Sequence, residues 1–279
     1  MSITLPAPAI PGGEYRPAAG PLERIRARCG AILQERGPEL MDPPPADGTD
    51  ITAAYQQQVY RDAWVNSLRL SGHADYARYR LGVLKDEQFP RHLETYVDQL
   101  AKARHHNRRQ LKLPAEERKE VRPSVLHLLA AGGVGVGKTA AAAAAGTYAV
   151  EHGLMTRFVS HSMYLAWLRP EGAPSGLTAT QVRERYERCD LLILDDLCNE
   201  MDEYATNHVR THTSNLITAR INSGRATLFT TNLDFDQVTT VLGERLASRI
   251  GGGAQVLQMV GDDRRKPKRW GAASKARVG

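Results

Sequence analysis

Eight residues, Gly132-Gly133-Val134-Gly135-Val136-Gly137-Lys138-Thr139, constrain this chain more than any other feature. They fit GxxxxGK[ST] at every fixed position, follow an apolar run from Val125 to Ala130 and open an alanine-rich stretch from Lys138 to Glu151. Strand, glycine loop and helix in that order make a phosphate cradle. Glycines reach backbone angles that turn successive N–H groups inward, and the helix amino terminus adds partial positive charge. Lys138 then reaches the β- and γ-phosphates of ATP, and the Thr139 hydroxyl is placed to ligate Mg²⁺. A glycine turn that binds nothing is the competing reading, and the register of all four parts disfavours it.

The residues around this loop alternate between strand-like and helix-like runs. Strands are expected at Val125–Ala130, Thr156–Ser160, Leu191–Leu194 and Thr227–Thr231. Helices are expected at Lys138–Glu151, Ser162–Leu168, Thr178–Arg188, Tyr204–Ile221 and near Val238–Arg249. That alternation predicts an α/β fold with a parallel sheet flanked by helices. The run of six alanines from Ala140 suits a helix packed closely on the sheet.

Leu191-Leu-Ile-Leu-Asp195-Asp196 is an apolar strand ending in two carboxylates. Downstream of a phosphate loop, Asp195 is the expected Mg²⁺ ligand and Asp196 the group that orients attacking water, with Glu200 a second candidate. Asn232, after Thr230-Thr231, would end a neighbouring strand near the γ-phosphate, although a strand-ending Asn is often only a turn residue. Arg245 and Arg249 share one helical face; such a pair is usually a solvated face, or one of them serves a neighbouring subunit as an arginine finger.

Composition divides the remainder. Residues 1–50 hold nine of the fifteen prolines and predict a flexible arm, with a short helix possible from Leu22 to Gln34. Residues 51–113 read as amphipathic helices, a partner-binding module or a cap on the core, with breaks at Gly82 and Pro90. The ATPase domain is expected over 114–265 and a basic tail over 266–279. Seven Lys/Arg and no acid lie from Arg264 onward, so the net charge of +6 is concentrated there. That tail, with Trp270, and Lys102, Arg104, Arg108, Arg109 and Lys112 predict non-specific, salt-sensitive DNA contact. Cys29, Cys189 and Cys198 have no CxxC spacing and read as reduced. No apolar run approaches the roughly 20 residues of a membrane span and no leader is evident, so a cytoplasmic protein is expected.

The ordered set GGVGVGKT, LLILDDLCNE, LFTTNLD and GERLASRI resembles the AAA+ ATPases of the DnaC and IstB group, over about residues 76–265. The resemblance includes Arg78-Tyr79-Arg80 with Leu84 and Asp86 as the lead-in to the core. It implies an AAA+ P-loop sheet in which residues 132–139 form Walker A, Asp195 and Asp196 Walker B and Asn232 sensor 1. Arg249 is the implied finger, with Arg245 beside it, and Arg265 or Arg264 the sensor 2 arginine. Walker B ends here in Asp-Asp where many AAA+ proteins have Asp-Glu, and Cys198 stands where the group usually has Gly. The group's zinc-bearing amino module is absent.

The group implies an ATP-dependent replication factor, a homo-oligomer on single-stranded DNA that loads a hexameric replicative helicase. The alternative is an IstB-type transposition ATPase assembling on duplex DNA. A small-molecule P-loop kinase would need an arginine-rich lid between the Walker motifs, and a GTPase its NKxD signature, which is missing.

Overall fold

The computed structural model describes residues 51–84, 88–174, 176–198, 206–252 and 254–264. Two units divide the chain, Met1–Ile51 and Thr52–Gly279. Apart from Ile51, the described residues fall in the second unit. The expected arm and the basic tail lie outside them.

Five parallel strands, β1 (His127–Gly132), β2 (Thr156–Ser160), β3 (Leu191–Asp195), β4 (Ala226–Thr231) and β5 (Ala254–Met259), form one sheet in the order β2-β3-β4-β1-β5. Parallel neighbours need long crossovers, and helices supply them. Helices α1 (Ile51–Leu70), α2 (Gln88–Gln110) and α3 (Lys138–Glu151) cover one face. Helices α4 (His161–Trp167), α5 (Ala179–Arg188), α6 (Asn207–Asn222), α7 (Phe235–Leu242) and α8 (Glu244–Gly251) cover the other. Strand β3 shows why its sequence is uniformly apolar: Leu191 and Ile193 enter the first core, Leu192 and Leu194 the second.

The alanines of α3 fit a helix buried all round. Ala141–Ala145 are at most 3% exposed, with the sheet on one side and α1 and α2 on the other. A Cβ at Gly146 would collide with the Trp64 ring, so this glycine admits α1 against α3. The Trp64 indole donates to Thr147 Oγ1 at 3.2 Å. Farther along, the Phe158 N–H donates to Ser67 Oγ at 2.9 Å and the Ser71 hydroxyl donates to the Phe158 carbonyl at 3.4 Å. Two serines one helical turn apart thus close the outer edge of β2, which an exposed strand would leave open to other chains.

Three elements differ from the sequence reading. Pro90 lies inside α2, in its first turn, where a missing N–H costs no hydrogen bond. The helix expected over Val238–Arg249 is two helices, divided by Gly243 at φ 88°. Strand β5 was not expected; it is an edge strand whose outward residues Gln255, Val256 and Gln258 dilute its apolar signal. Among the described residues no helix is long and apolar enough to cross a membrane.

Two buried histidines make the fold acid-sensitive. Burial pushes His127 down to about 4, helped by the nearby Arg220 charge, and burial alone pushes His161 down to about 4. A base with a depressed folded pKa stays neutral when folded while the unfolded chain takes up a proton. Stability is therefore present above the unfolded value of about 6.5 and is lost as pH falls toward 4. Each histidine contributes on the order of 3 kcal/mol to that loss. Urea unfolding at pH 7 and pH 5 should show the drop, and His127→Leu should flatten the curve between them.

Candidate nucleotide-binding site

The glycine loop leaves the carboxyl end of β1 and turns into α3. Gly135 and Gly137 have φ of 78° and 100°, the left-handed region that glycine enters without steric cost. Gly137 caps α3, whose first residue is Lys138. The Lys138 ammonium is buried and donates to the carbonyls of Gly132 at 2.8 Å and Gly133 at 2.7 Å, and also to Asn232 Oδ1. The two residues assigned from separate motifs thus meet, because β4 lies beside β1 and Thr231 is in register with Ala131.

Asp195, at the end of β3, is 1% exposed. Its Oδ1 accepts the Thr230 hydroxyl at 2.6 Å, while its buried Oδ2 makes no hydrogen bond among the described residues. Burial, and then the charge of Asp196, push the carboxyl up to about 6, against the opposing hydrogen bond from Thr230. A buried carboxylate oxygen without a donor, beside the Thr139 hydroxyl, is a donor set that fits Mg²⁺, a hard cation that prefers oxygen. Asp196 follows with φ 55°, exposed, its N–H donating to Thr230 Oγ1 at 2.9 Å. Thr230 therefore positions both carboxylates. Sequence reading noted it only as part of a strand end, because its role comes from β4 lying against β3.

These groups face a cavity of about 680 Å³, within the usual size of a ligand cleft. Lys138, Thr139, Asp196 and Asn232 line it at the phosphate end. Tyr76, Tyr79, Val83 and Leu84, from the segment between α1 and α2, form an apolar wall, with the two tyrosine rings 5.2 Å apart. An aromatic and aliphatic wall beside a phosphate cradle has the chemistry of a base site. From the chain after β5, Arg264 also lines the cavity, and its N–H donates to the Gly135 carbonyl at 3.0 Å. A Cβ on Gly135 would collide with the Asp263 carboxylate. This glycine, a free position in the motif, thus admits the carboxy-terminal segment onto the loop.

Glu200 and Arg265 lie outside the described residues, so of the sensor 2 pair only Arg264 is seen, at the cavity. Arg249 on α8 donates to the Thr218 hydroxyl at 2.5 Å, whereas Arg245 one turn earlier is exposed; neither lines the cavity. The basic cluster on α2 and the turn after it is divided. Arg104 and Arg108 turn inward to Asp190, at 2.8 and 3.3 Å, while Lys102, Arg109 and Lys112 are exposed. Two of the five cations expected to meet DNA are therefore engaged in holding α2 to the domain.

The fold and the site define an AAA+ P-loop ATP-binding protein. The family model described as IstB-like ATP binding protein matches residues 124–272, more than half of the chain, and the chain belongs to that family. No curated protein sequence matches it significantly. Among solved structures, a DnaC helicase loader is similar at 20% identity and a TM-score of 0.48, over 67% of this chain and 99% of that one. DnaI is similar at 18% and 0.48, over 68% and 93%. AMPPCP-bound DnaA from Aquifex aeolicus is similar at 18% and 0.49, over 66% of this chain and 50% of that one. The chain thus spans about half the length of that DnaA structure and of a DNA replication initiation factor, where it covers 49%.

Proposed function

We propose that this protein hydrolyses ATP as an assembly-dependent ATPase and uses the cycle to load a hexameric replicative helicase onto single-stranded DNA. The observation that carries the hydrolytic part is the gathering of Lys138, Asn232 and Asp196 on one cavity wall, with Asp195 buried beneath. Lys138 and the loop amides bind the phosphates, and Tyr76, Tyr79, Val83 and Leu84 receive the base. Thr139 and Asp195 hold Mg²⁺, which when bound neutralises phosphate charge. Asp196 orients the attacking water and accepts its proton, and Asn232 positions that water or the γ-phosphate. Arg264, one of the two candidates for sensor 2, reaches phosphate. Arg249, with Arg245 beside it, serves the nucleotide of a neighbouring copy, since neither reaches its own cavity.

Helix α1 supports the loader reading. It leans on α3 through Trp64 while Tyr55, Val59 and Val65 remain exposed. A partner held on that outer face would be one helix away from Lys138. Non-specific single-stranded DNA contact falls to Lys102, Arg109, Lys112 and the basic tail. The family match over residues 124–272 favours the second reading, a transposition ATPase that assembles on duplex DNA.

Asp196→Asn tests the chemistry. Asn tolerates the left-handed backbone that Asp196 adopts, so the fold should persist. ATP affinity should stay within about threefold, while turnover falls by about a hundredfold or more. Full turnover in that variant would move the base role elsewhere, with Glu200 next. Arg249→Ala should leave ATP binding intact and abolish only the turnover that depends on assembly. Equal rates with and without Arg249, from monomer to assembly, would remove it from the finger role.

A further inference from the structure

Beneath the carboxyl end of β3 lies a buried histidine that the phosphate chemistry does not use. His161 opens α4 at the end of β2 and is 1% exposed. Its Nδ1 accepts the backbone N–H of Cys198 at 3.3 Å, and its Nε2 lies 2.8 Å from the Thr213 hydroxyl on α6. A backbone N–H can only donate, so Nδ1 is the unprotonated nitrogen and Nε2–H donates to Thr213. Contacts on both sides thus fix a neutral ring and its tautomer.

What the ring holds is a strained turn. Asp196 at φ 55° and Cys198 at φ 66° are two non-glycine residues in the left-handed region within three positions, an arrangement that persists only when its surroundings hold it. Bonds from Asp196 and Leu197 run to β4: the Asp196 N–H to Thr230 Oγ1, the Leu197 N–H to the Thr230 carbonyl and the Leu197 carbonyl from the Thr231 hydroxyl. The Cys198 N–H is anchored on the other side, toward β2 and α4, on His161.

We infer that His161 is a positioning residue for Asp196: by accepting the Cys198 N–H it holds the Asp196-Leu197-Cys198 turn in its left-handed form and sets where the Asp196 carboxylate stands in the cavity. The inference rests on the proposed role of Asp196 in water activation.

The test compares variants of the full chain by ATP turnover at the fastest wild-type condition, by affinity for a fluorescent ATP analogue and by melting temperature. His161→Asn keeps an amide oxygen near the Nδ1 position, His161→Gln places its amide near Nε2, and His161→Phe keeps ring volume without an acceptor. His161→Phe and His161→Gln should lower kcat about tenfold to a hundredfold, with KM and analogue affinity within about threefold of wild type. His161→Asn should stay within about threefold in kcat. Adding Cys198→Gly to His161→Phe should restore most of the lost turnover, because glycine holds φ 66° without help. Wild-type turnover in His161→Phe overturns the inference, as does a loss that Cys198→Gly fails to rescue or that follows melting temperature instead of acceptor position. Should His161→Phe not fold, the order of Asn above Gln carries the test, and the reverse order overturns it. A wild type that hydrolyses no ATP overturns the Asp196 reading and this one with it, whereas turnover unaffected by His161 overturns this one alone.

Discussion

Lys138→Ala should abolish nucleotide binding, with affinity for a fluorescent ATP analogue reduced by more than about a hundredfold and turnover at background. The ammonium is buried among the carbonyls of Gly132 and Gly133 and the Asn232 amide oxygen. Removing it takes away the one cation at the loop whose stem is locked by α3. A charge-assisted contact in a largely desolvated cradle contributes about 3 kcal/mol or more, which corresponds to that hundredfold. Undiminished affinity in a folded variant would mean that the phosphates do not lie at this loop.

The loop was legible because chemistry fixes its spacing: an extra residue between Gly137 and Lys138 would separate the ammonium from the cradle. Strands β1 to β4 were legible as apolar runs because both faces of the sheet are covered. Strand β5 was not, since an edge strand with exposed Gln255 and Val256 has the composition of a loop. Pro90 misled because a proline in the first helical turn and a proline that ends a helix look alike in sequence. Neither the support Thr230 gives to both carboxylates nor the approach of Asp263 to Gly135 leaves any local signal; each depends on strands distant in sequence becoming neighbours.

Arg220 is the clearest case of a residue that sequence gave no reason to notice, and Arg220→Met should be among the most destabilising substitutions in the chain. It lies in α6 and is 0% exposed. Its guanidinium donates to the carbonyls of Tyr186 at 2.6 Å, Glu187 at 3.2 Å and Cys189 at 3.1 Å, to that of Ala226, and to Thr227 Oγ1 at 3.0 Å. These groups end α5 and begin β3 and β4, so one cation satisfies the backbone where three elements meet. Met fills much of the same volume but donates nothing. Several buried carbonyls would then lack partners, at about 1–3 kcal/mol each. A total loss of about 4 kcal/mol or more is expected, with the melting temperature lowered by roughly 8–16 °C. A shift under about 2 °C would show that water replaces the guanidinium without cost.

The most direct test of the central claim measures ATP turnover and particle mass together. Purified protein would be assayed without DNA, with a single-stranded oligonucleotide and with duplex, at two salt concentrations, with mass by light scattering in the presence and absence of ATP. The expected result is a slow monomer whose turnover rises as it assembles with ATP on single strands, an effect that weakens with salt as phosphate contacts exchange for ions. Assembly preferring duplex would transfer the function to transposition. An ATPase that stays monomeric and indifferent to DNA would contradict the claim.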